Sequence, residues 1–213
     1  MTATTATTGL RLHHSANSPY VRKVMVVLHE TGLRDQVTLL PASGSPLDDG
    51  TAPVTLNPLG KVPTLERPEG GALFDSRVIC RYLDARAGGS GTLYPHGARL
   101  WDALALEALA DGITDAALLM VYEHRLRPEA LRFDAWVEGQ WRKIARSLDT
   151  LEHRWLPYLA GPPCIGQIAL ACALGYLDLR HAARDWRAGR PGLAVRADAM
   201  LARDSLRQTA PPG

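Results

Sequence analysis

The stretch "NPLGKVPTL", residues 57–65, places Pro63 at the start of what otherwise reads as a buried strand. Proline has no N–H to give to a β-ladder and is normally found at sheet edges, at bulges or as the first residue of a strand. A cis Val62–Pro63 bond would turn the chain and leave the backbone groups of Val62 at an edge where another extended peptide can pair with them. The alternative is a trans proline at an ordinary loop-to-strand boundary.

The residues that surround this stretch, up to about position 90, alternate between short apolar runs and helical patterns. This alternation predicts a β-α-β unit followed by a β-hairpin and a helix, which is an α/β arrangement. The first helix has Ser18 placed as its N-cap, Pro19 at its first position and Gly32 as its stop. A second helix is predicted to begin at Asp75 and Ser76, with its apolar stripe formed by Val78, Ile79, Tyr82 and Leu83.

The start of this second helix carries two polar residues that suit a zwitterionic ligand. A helix N-terminus offers unpaired N–H donors that bind a carboxylate, and the carboxylate of Asp75 beside it suits an ammonium group. Together with the backbone of Val62, Asp75 and Ser76 predict a site for a small peptide with a free amino-acid end. The alternative is that Asp75 and Ser76 only cap the helix.

The second half of the chain shows helical periodicity only, with apolar residues spaced at 3.6 residues in three long segments. A glycine- and proline-rich segment, "RAGGSGTLYPHG", separates the two halves. The sequence therefore predicts an α/β domain over residues 1–87, a linker over 88–97 and an all-helical domain over 98–213.

Composition excludes several classes of protein. The formal charge of +2 is too small to indicate a nucleic-acid partner, and no window approaches the roughly 18 apolar residues of a membrane span. The three cysteines contain no C-x-x-C pair, which is typical of a reduced, cytoplasmic protein. His13 and His14 are adjacent on a predicted strand and point to opposite faces, so we expect no metal site.

Five segments resemble bacterial glutathione transferases in order and spacing, and the similarity covers nearly the whole chain. They are "SPYVRKV", "NPLGKVPTL", "LFDSRVICRYLD", "TLYP" and "IALACALGYLDLR". The resemblance implies a thioredoxin-like N-terminal domain, an all-α C-terminal domain, a homodimer and glutathione as co-substrate. It also implies that Val62, next to Pro63, pairs with the cysteinyl backbone of glutathione, and that Asp75 and Ser76 hold its γ-glutamyl end. Lys61 either reaches the glycyl carboxylate or is a solvated surface residue.

The chemistry implied by this resemblance is activation of the glutathione thiol by a hydroxyl near the first helix. No cysteine lies between residues 1 and 79 that could form a mixed disulfide. The turn before the helix supplies Ser15, Asn17 and Ser18 as donors. Ser15 matches the activating serine of zeta-like enzymes and Ser18 that of theta-like enzymes, and we favour Ser15 because Ser18 also serves as an N-cap.

The second substrate is expected to be a small hydrophobic electrophile that enters between the two domains, with Met120 and Tyr122 as candidate lining residues. Conjugation, isomerisation, dehalogenation and peroxide reduction all use the same thiolate. The alternative is a non-catalytic, transferase-like binding or regulatory module. The family usually has Ser or Thr, then Asp, at the start of the helix that ends in "ALGYLDLR", where this chain has Cys164 and Gln167.

Overall fold

The structure is a computed structural model, and it describes residues 9–212. The chain divides into two compact units. One comprises the described residues up to Ser90 together with Thr209–Pro212, and the other comprises Gly91–Gln208. The division falls inside the predicted linker.

The first unit is built on a four-stranded mixed sheet in the order β2-β1-β3-β4. Strand β1 is parallel to β2 and antiparallel to β3, which is in turn antiparallel to β4. Two helices, α1 and α2, pack against each other in this unit. These elements are β1 Leu10–His14, α1 Pro19–Glu30, β2 Val37–Pro41, β3 Thr64–Arg67, β4 Gly70–Phe74 and α2 Ser76–Arg86. The predicted thioredoxin-like α/β fold is confirmed.

Helix α1 begins and ends where the sequence predicts. The hydroxyl of Ser18 accepts a hydrogen bond from the backbone N–H of Val21 at 3.3 Å, which satisfies one of the unpaired donors of the first turn. Pro19 occupies the first turn, where its missing N–H has no cost. Gly32 follows the helix with φ of 68°, a left-handed conformation that glycine adopts without steric cost.

Helix α2 corrects one part of the predicted apolar stripe. Ile79 and Leu83 are fully buried as expected, and Cys80 is buried beside them, but Val78 is 49% exposed. A helix turns by about 100° per residue, so Cys80 shares a face with Ile79 and Leu83 and leaves Val78 on the opposite side. The prediction is therefore wrong for Val78 and confirmed for Ile79 and Leu83.

The second unit contains helices and turns over the whole of Gly91–Gln208, as predicted. Its helices are α3 Ala98–Leu126, α4 Asp134–Thr150, α5 Leu156–Leu159, α6 Ile165–Arg180, α7 Pro191–Leu201 and α8 Asp204–Gln208. Helices α3 and α6 pack closely against each other. Gly166 lies at this contact and leaves no room for a side chain, since a Cβ there would lie 2.8 Å from the carbonyl oxygen of Ala103. Around them lies an apolar core that includes Leu106, Ile113, Ile144, Leu148, Leu177 and Trp186.

Candidate active site

One row of paired residues crosses three strands at one end of the sheet. His13 on β1 pairs with Thr64 on β3, and Thr64 pairs with Phe74 on β4. Neighbouring strands lie about 4.8 Å apart, so the two outer strands of this row are about 10 Å apart. The row contains the first residue of β3, the last residue of β4 and the last residue but one of β1, so these three strand ends lie at the same end of the sheet.

Three of the residues singled out in the sequence stand next to this row. Ser15 follows it by two residues after β1, Val62 precedes it by two residues before β3, and Asp75 follows it by one residue after β4. Because β1 and β4 both run antiparallel to β3, their last residues and the first residues of β3 share one end of the sheet. The sheet topology thus brings together residues that are 60 positions apart in the sequence.

The Val62–Pro63 peptide bond is cis, which confirms that prediction. Pro63 is buried and Val62 is half-buried. Among residues 9–212, neither the backbone N–H nor the C=O of Val62 takes part in a hydrogen bond. Backbone groups in an extended segment beside a sheet are the groups that a second extended peptide pairs with.

Asn57 holds the segment before Val62 in place, and we had not singled out this residue from the sequence. Its side-chain amide donates hydrogen bonds to the carbonyl oxygen of Lys61 at 3.0 Å and to the hydroxyl of Thr64 at 3.2 Å. Thr64 also donates to the carbonyl of Lys61, at 3.0 Å. Asn57 is 2% exposed, so this amide serves the loop and not the solvent. A signal was present, because Asn before Pro often opens a turn.

Asp75 caps helix α2 in an uncommon backbone conformation. Its φ is 69° and its ψ is 127°, a region that residues with a Cβ rarely adopt. The carboxylate accepts a hydrogen bond from the backbone N–H of Arg77 at 2.9 Å. Burial raises the pKa of this carboxyl, but the hydrogen bonds from Arg77 and the charges of Arg77 and Lys23 outweigh it, so the pKa lies below its usual value. Asp75 is therefore an anion at neutral pH.

Arg77 is a second residue that we had not singled out from the sequence. Its guanidinium donates to both carboxylate oxygens of Asp75, from Nε to Oδ1 and from Nη2 to Oδ2, each at 3.2 Å. This fork geometry is characteristic of arginine and carboxylate. No sequence signal identified it, because an arginine two residues after an N-cap is ordinary on an exposed helix.

Ser76 occupies the first position of α2 and is 3% exposed. Within the described residues, its hydroxyl forms no hydrogen bond. The adjacent Asp75 supplies the cap, so the hydroxyl of Ser76 has no capping function.

The turn between β1 and α1 contains the three predicted thiol-activating residues. The backbone N–H of Ser18 donates to the carbonyl of Ser15 at 3.1 Å, which closes a turn with Asn17 exposed inside it. The hydroxyl of Ser18 is engaged as the N-cap of α1. The hydroxyl of Ser15 is half-buried and has no hydrogen-bond partner in the described part of the chain.

The remaining predicted site residues differ in exposure. Lys61 is exposed, next to Val62. Met120 is 1% exposed and packs in the core of the helical unit, whereas Tyr122 is partly exposed on the same helix. Burial raises the pKa of Tyr122, partly offset by the charge of Arg125, so the phenol is neutral at physiological pH. The role of both residues in a substrate pocket stays a prediction.

The described residues contain neither a cluster of metal-ligating side chains nor a membrane-spanning helix. Over positions 9–212, no three side chains of His, Cys, Asp or Glu come together as possible metal ligands. Nor does any helix in that range have the length and apolar character needed to cross a membrane.

Comparison with known proteins decides the family. Sequence profiles described as the glutathione S-transferase N-terminal and C-terminal domains match residues 17–86 and 134–194. YibF, a GST-like protein of Escherichia coli strain K12, is 36% identical over 206 residues, which covers 95% of this chain and 99% of YibF. The chain belongs to the glutathione S-transferase family.

Solved structures of other glutathione transferases have the same fold. A family member from Pseudomonas fluorescens Pf-5 with bound glutathione is 44% identical, with a TM-score of 0.93 over 96% of this chain and 100% of that one. A glutathione transferase from Methylobacillus flagellatus with bound glutathione is 36% identical, with a TM-score of 0.83 over 96% and 100% of the two chains. A second structure from Pseudomonas fluorescens Pf-5, 43% identical with a TM-score of 0.88 over 96% and 100%, holds S-(propanoic acid)-glutathione.

Proposed function

We propose that this glutathione transferase binds glutathione across the end of its sheet and activates the thiol for attack on a small hydrophobic electrophile. The observation that carries the proposal is the shared sheet end at which Ser15, Val62 and Asp75 stand. The spacing of about 10 Å between β1 and β4 suits a tripeptide in extended form. In this arrangement the hydroxyl of Ser15 donates a hydrogen bond to the sulfur of the thiol, the backbone of Val62 pairs with the cysteinyl backbone, and the carboxylate of Asp75 binds the γ-glutamyl ammonium.

The outer groups of glutathione have candidate partners as well. Ser76 is 3% exposed and its hydroxyl forms no hydrogen bond within the described residues, and this hydroxyl, at a helix N-terminus, is proposed to bind the γ-glutamyl carboxylate. Lys61 is exposed beside Val62 and is proposed to attract the glycyl carboxylate as a point charge. Pro63 acts through the backbone by setting the direction of Val62.

Thiol activation is assigned to Ser15. A free thiol has a pKa of about 8.5, and lowering it by about two units requires roughly 2.7 kcal/mol of preferential thiolate stabilisation. One hydroxyl hydrogen bond to a charged acceptor supplies about 1.5–3 kcal/mol, and a helix N-terminus adds about 0.3–1 kcal/mol. Ser18 already accepts from Val21 as a cap and Asn17 is exposed, which favours Ser15 as the donor.

The proposed reaction is conjugation, in which the thiolate forms a C–S bond with an electrophilic carbon. At a saturated carbon the bond to the leaving group breaks and the group departs with the electron pair; at an activated C=C bond the π bond breaks and the resulting carbanion takes a proton from water. The Pseudomonas fluorescens relative that binds S-(propanoic acid)-glutathione supports this choice, since that ligand is a thioether of glutathione. Tyr122 is proposed to contact the electrophile, and Met120 to support it from the core.

We also propose that the protein acts in detoxification as a cytoplasmic homodimer, with exposed apolar residues such as Val78 and Trp101 as candidates for the subunit interface.

The experiment that tests this function is a titration of bound glutathione followed by its ultraviolet thiolate absorbance. We expect the pKa of the bound thiol to lie about two units below that of free glutathione in the wild type. In Ser15→Ala that pKa should return toward the free value while glutathione still binds, because the backbone and zwitterion contacts hold the peptide independently of its sulfur.

Ser18→Ala and Asn17→Ala are the matched controls for this titration. Ser18→Ala should lower the free energy of unfolding by about 1 kcal/mol, as expected for a lost cap, without moving the thiol pKa. If Ser18→Ala or Asn17→Ala moves the pKa and Ser15→Ala does not, the assignment to Ser15 is wrong. If glutathione binds with an unshifted thiol and no panel of electrophiles is conjugated, the protein is the non-catalytic binding module.

A further inference from the structure

We propose that Arg125 and Arg180 bind a carboxylate carried by the electrophile, so that the second substrate is an aromatic acid. The inference rests on the proposed function, in which Tyr122 contacts the electrophile, and it deepens that function by naming the chemical class of the substrate. Arg125 lies in the last turn of α3 and Arg180 is the last residue of α6. An arginine there also interacts favourably with the helix dipole, and that structural role is the alternative.

Helix spacing and helix packing bring the two arginines together with two tyrosines. Tyr122 and Arg125 are three residues apart on α3, and Tyr176 and Arg180 are four apart on α6, so each pair shares a helix face. Helices α3 and α6 pack against each other. The phenol of Tyr176 lies close enough to interact with Arg180, with Tyr122 and with Arg125. These four side chains form the arginine–tyrosine cluster.

The arginine–tyrosine cluster contains hydrogen-bond donors that lack acceptors. Among residues 9–212, neither Arg125 nor Arg180 forms an ion pair with a carboxylate. Within the same residues, the hydroxyls of Tyr122 and Tyr176 donate to no acceptor, although Tyr176 is only 5% exposed. A carboxylate has two oxygens that only accept hydrogen bonds, and a guanidinium binds it in a fork geometry. A carboxylate is therefore the ligand that complements this cluster.

The acidic residues nearest in the sequence are paired with other arginines. Glu123 on α3 pairs with Arg127 at 2.7 Å, and Asp178 on α6 pairs with Arg187. The positive charge of the cluster is thus not neutralised by these carboxylates. The same positive potential acts on His181, because burial lowers the pKa of this residue and the charges of neighbouring arginines lower it further. An anion that enters this region is attracted to the cluster.

The tyrosine rings favour an acid with an aromatic body. Tyr122 is partly exposed, and its ring and that of Tyr176 place apolar surface beside the two cations. One electrophile with both features is 4-chloro-3-nitrobenzoate. The glutathione thiolate forms a C–S bond with the carbon that carries the chlorine, and chloride departs with the electron pair of the C–Cl bond. The carboxylate of the substrate is unchanged in this reaction.

The test measures the binding of two thioethers of glutathione by isothermal titration calorimetry. One is the S-(4-carboxy-2-nitrophenyl) product of this reaction, and the other is its neutral 4-carbamoyl analogue. In the wild type we expect the acid to bind about tenfold more tightly than the carbamoyl analogue, as for one charge-assisted contact. This preference should fall to about threefold in Arg125→Gln and in Arg180→Gln, and it should disappear in the double variant.

Arg146→Gln is the matched control, because Arg146 is an exposed arginine of α4 outside the cluster, and it should keep the wild-type preference. An unchanged preference in the double variant would overturn the inference, as would equal affinities of the two thioethers for a wild type that binds glutathione. Equal weakening of both thioethers in the variants would assign the arginines a structural role and would overturn it too. Failure of the wild type to bind glutathione itself would instead overturn the proposed function.

Discussion

Helices α2 and α6 begin in opposite ways. Helix α2 starts after Asp75, whose backbone is strained and whose charged side chain is 45% exposed. Helix α6 starts after Cys164, whose backbone is ordinary and extended and which is 1% exposed. The start of α2 exposes charged groups to solvent, whereas the start of α6 is enclosed by its own unit.

The closed start of α6 satisfies its polar groups internally. The side-chain oxygen of Gln167 accepts from the backbone N–H of Cys164 at 2.8 Å, which confirms the reciprocal contact expected from the sequence. The amide nitrogen of Gln167 donates to the carbonyl of Gly161 at 3.2 Å. A helix start built in this way stabilises the fold, and we propose that the start of α2 instead keeps charged groups accessible for binding. We therefore expect substitutions at the start of α6 to change mainly the unfolding free energy, and substitutions at the start of α2 to change mainly glutathione affinity.

The largest effect is expected for Gly166→Ala at the start of α6. The new methyl would lie 2.8 Å from both the carbonyl oxygen of Ala103 and the Cβ of Leu106, so the two helices would have to move apart. We expect urea denaturation to show a loss of about 2–3 kcal/mol of unfolding free energy, against the usual gain of a Gly→Ala change in a helix.

Gly112→Ala is the control for this substitution, because a Cβ at Gly112 in α3 meets nothing within 4 Å. It should raise the unfolding free energy by about 0.5–1 kcal/mol. Equal effects of the two substitutions would show that the start of α6 is not closely packed.

The next effect is expected for Asp75→Gly at the start of α2. Glycine relieves the positive φ and is nearly as good an N-cap as Asp, so the unfolding free energy should stay unchanged or rise by up to about 1 kcal/mol. Glutathione affinity should nevertheless fall about 10- to 100-fold, because the charged contact is lost. Calorimetry and urea denaturation measure the two quantities separately.

Asp75→Ala distinguishes the effect on glutathione affinity from the effect on stability. Alanine lacks the carboxylate, as glycine does, but unlike glycine it has a Cβ at the unfavourable positive φ. It should match Asp75→Gly in affinity and be less stable than it. If both variants bind glutathione as the wild type does, the carboxylate of Asp75 is a cap and nothing more.

Much of this contrast was predictable from residues that act locally. Ser18 and Pro19 start α1, and Asp75 was expected as a cap, because capping depends on one side chain and its nearest backbone groups. The shared sheet end was predictable in outline, since hairpin pairing follows from the apolar alternation. The domain boundaries at 1–87 and 98–213 and the ligand contacts of the site residues stay predictions.

The unpredicted features depend on three-dimensional context. The positive φ of Asp75 depends on how β4 runs into α2, and the sequence has no glycine there to signal it. The ion pair of Arg77 depends on a rotamer, and the enclosure of Asn57 depends on the path of a whole loop. Val78 was misplaced because a four-residue apolar stripe fits two neighbouring helical phases, and packing selected the one that leaves Val78 exposed.

The smallest effect is expected for Cys164→Ser, which converts the enclosed start of α6 to the cap that the family usually has. A hydroxyl accepts a hydrogen bond from the first-turn N–H groups better than a thiol does, and Gln167 keeps its reciprocal contact. The hydroxyl of Tyr158, 3.4 Å from the sulfur, is available as a further polar neighbour for the new hydroxyl. We expect a gain of about 0.5–1 kcal/mol in unfolding free energy, with glutathione affinity unchanged. Cys172→Ser makes the same chemical change inside α6, where no cap is needed, and should give no such gain. A loss of stability in Cys164→Ser would mean that the packing of the sulfur contributes more to the unfolding free energy than a capping hydrogen bond does at this position.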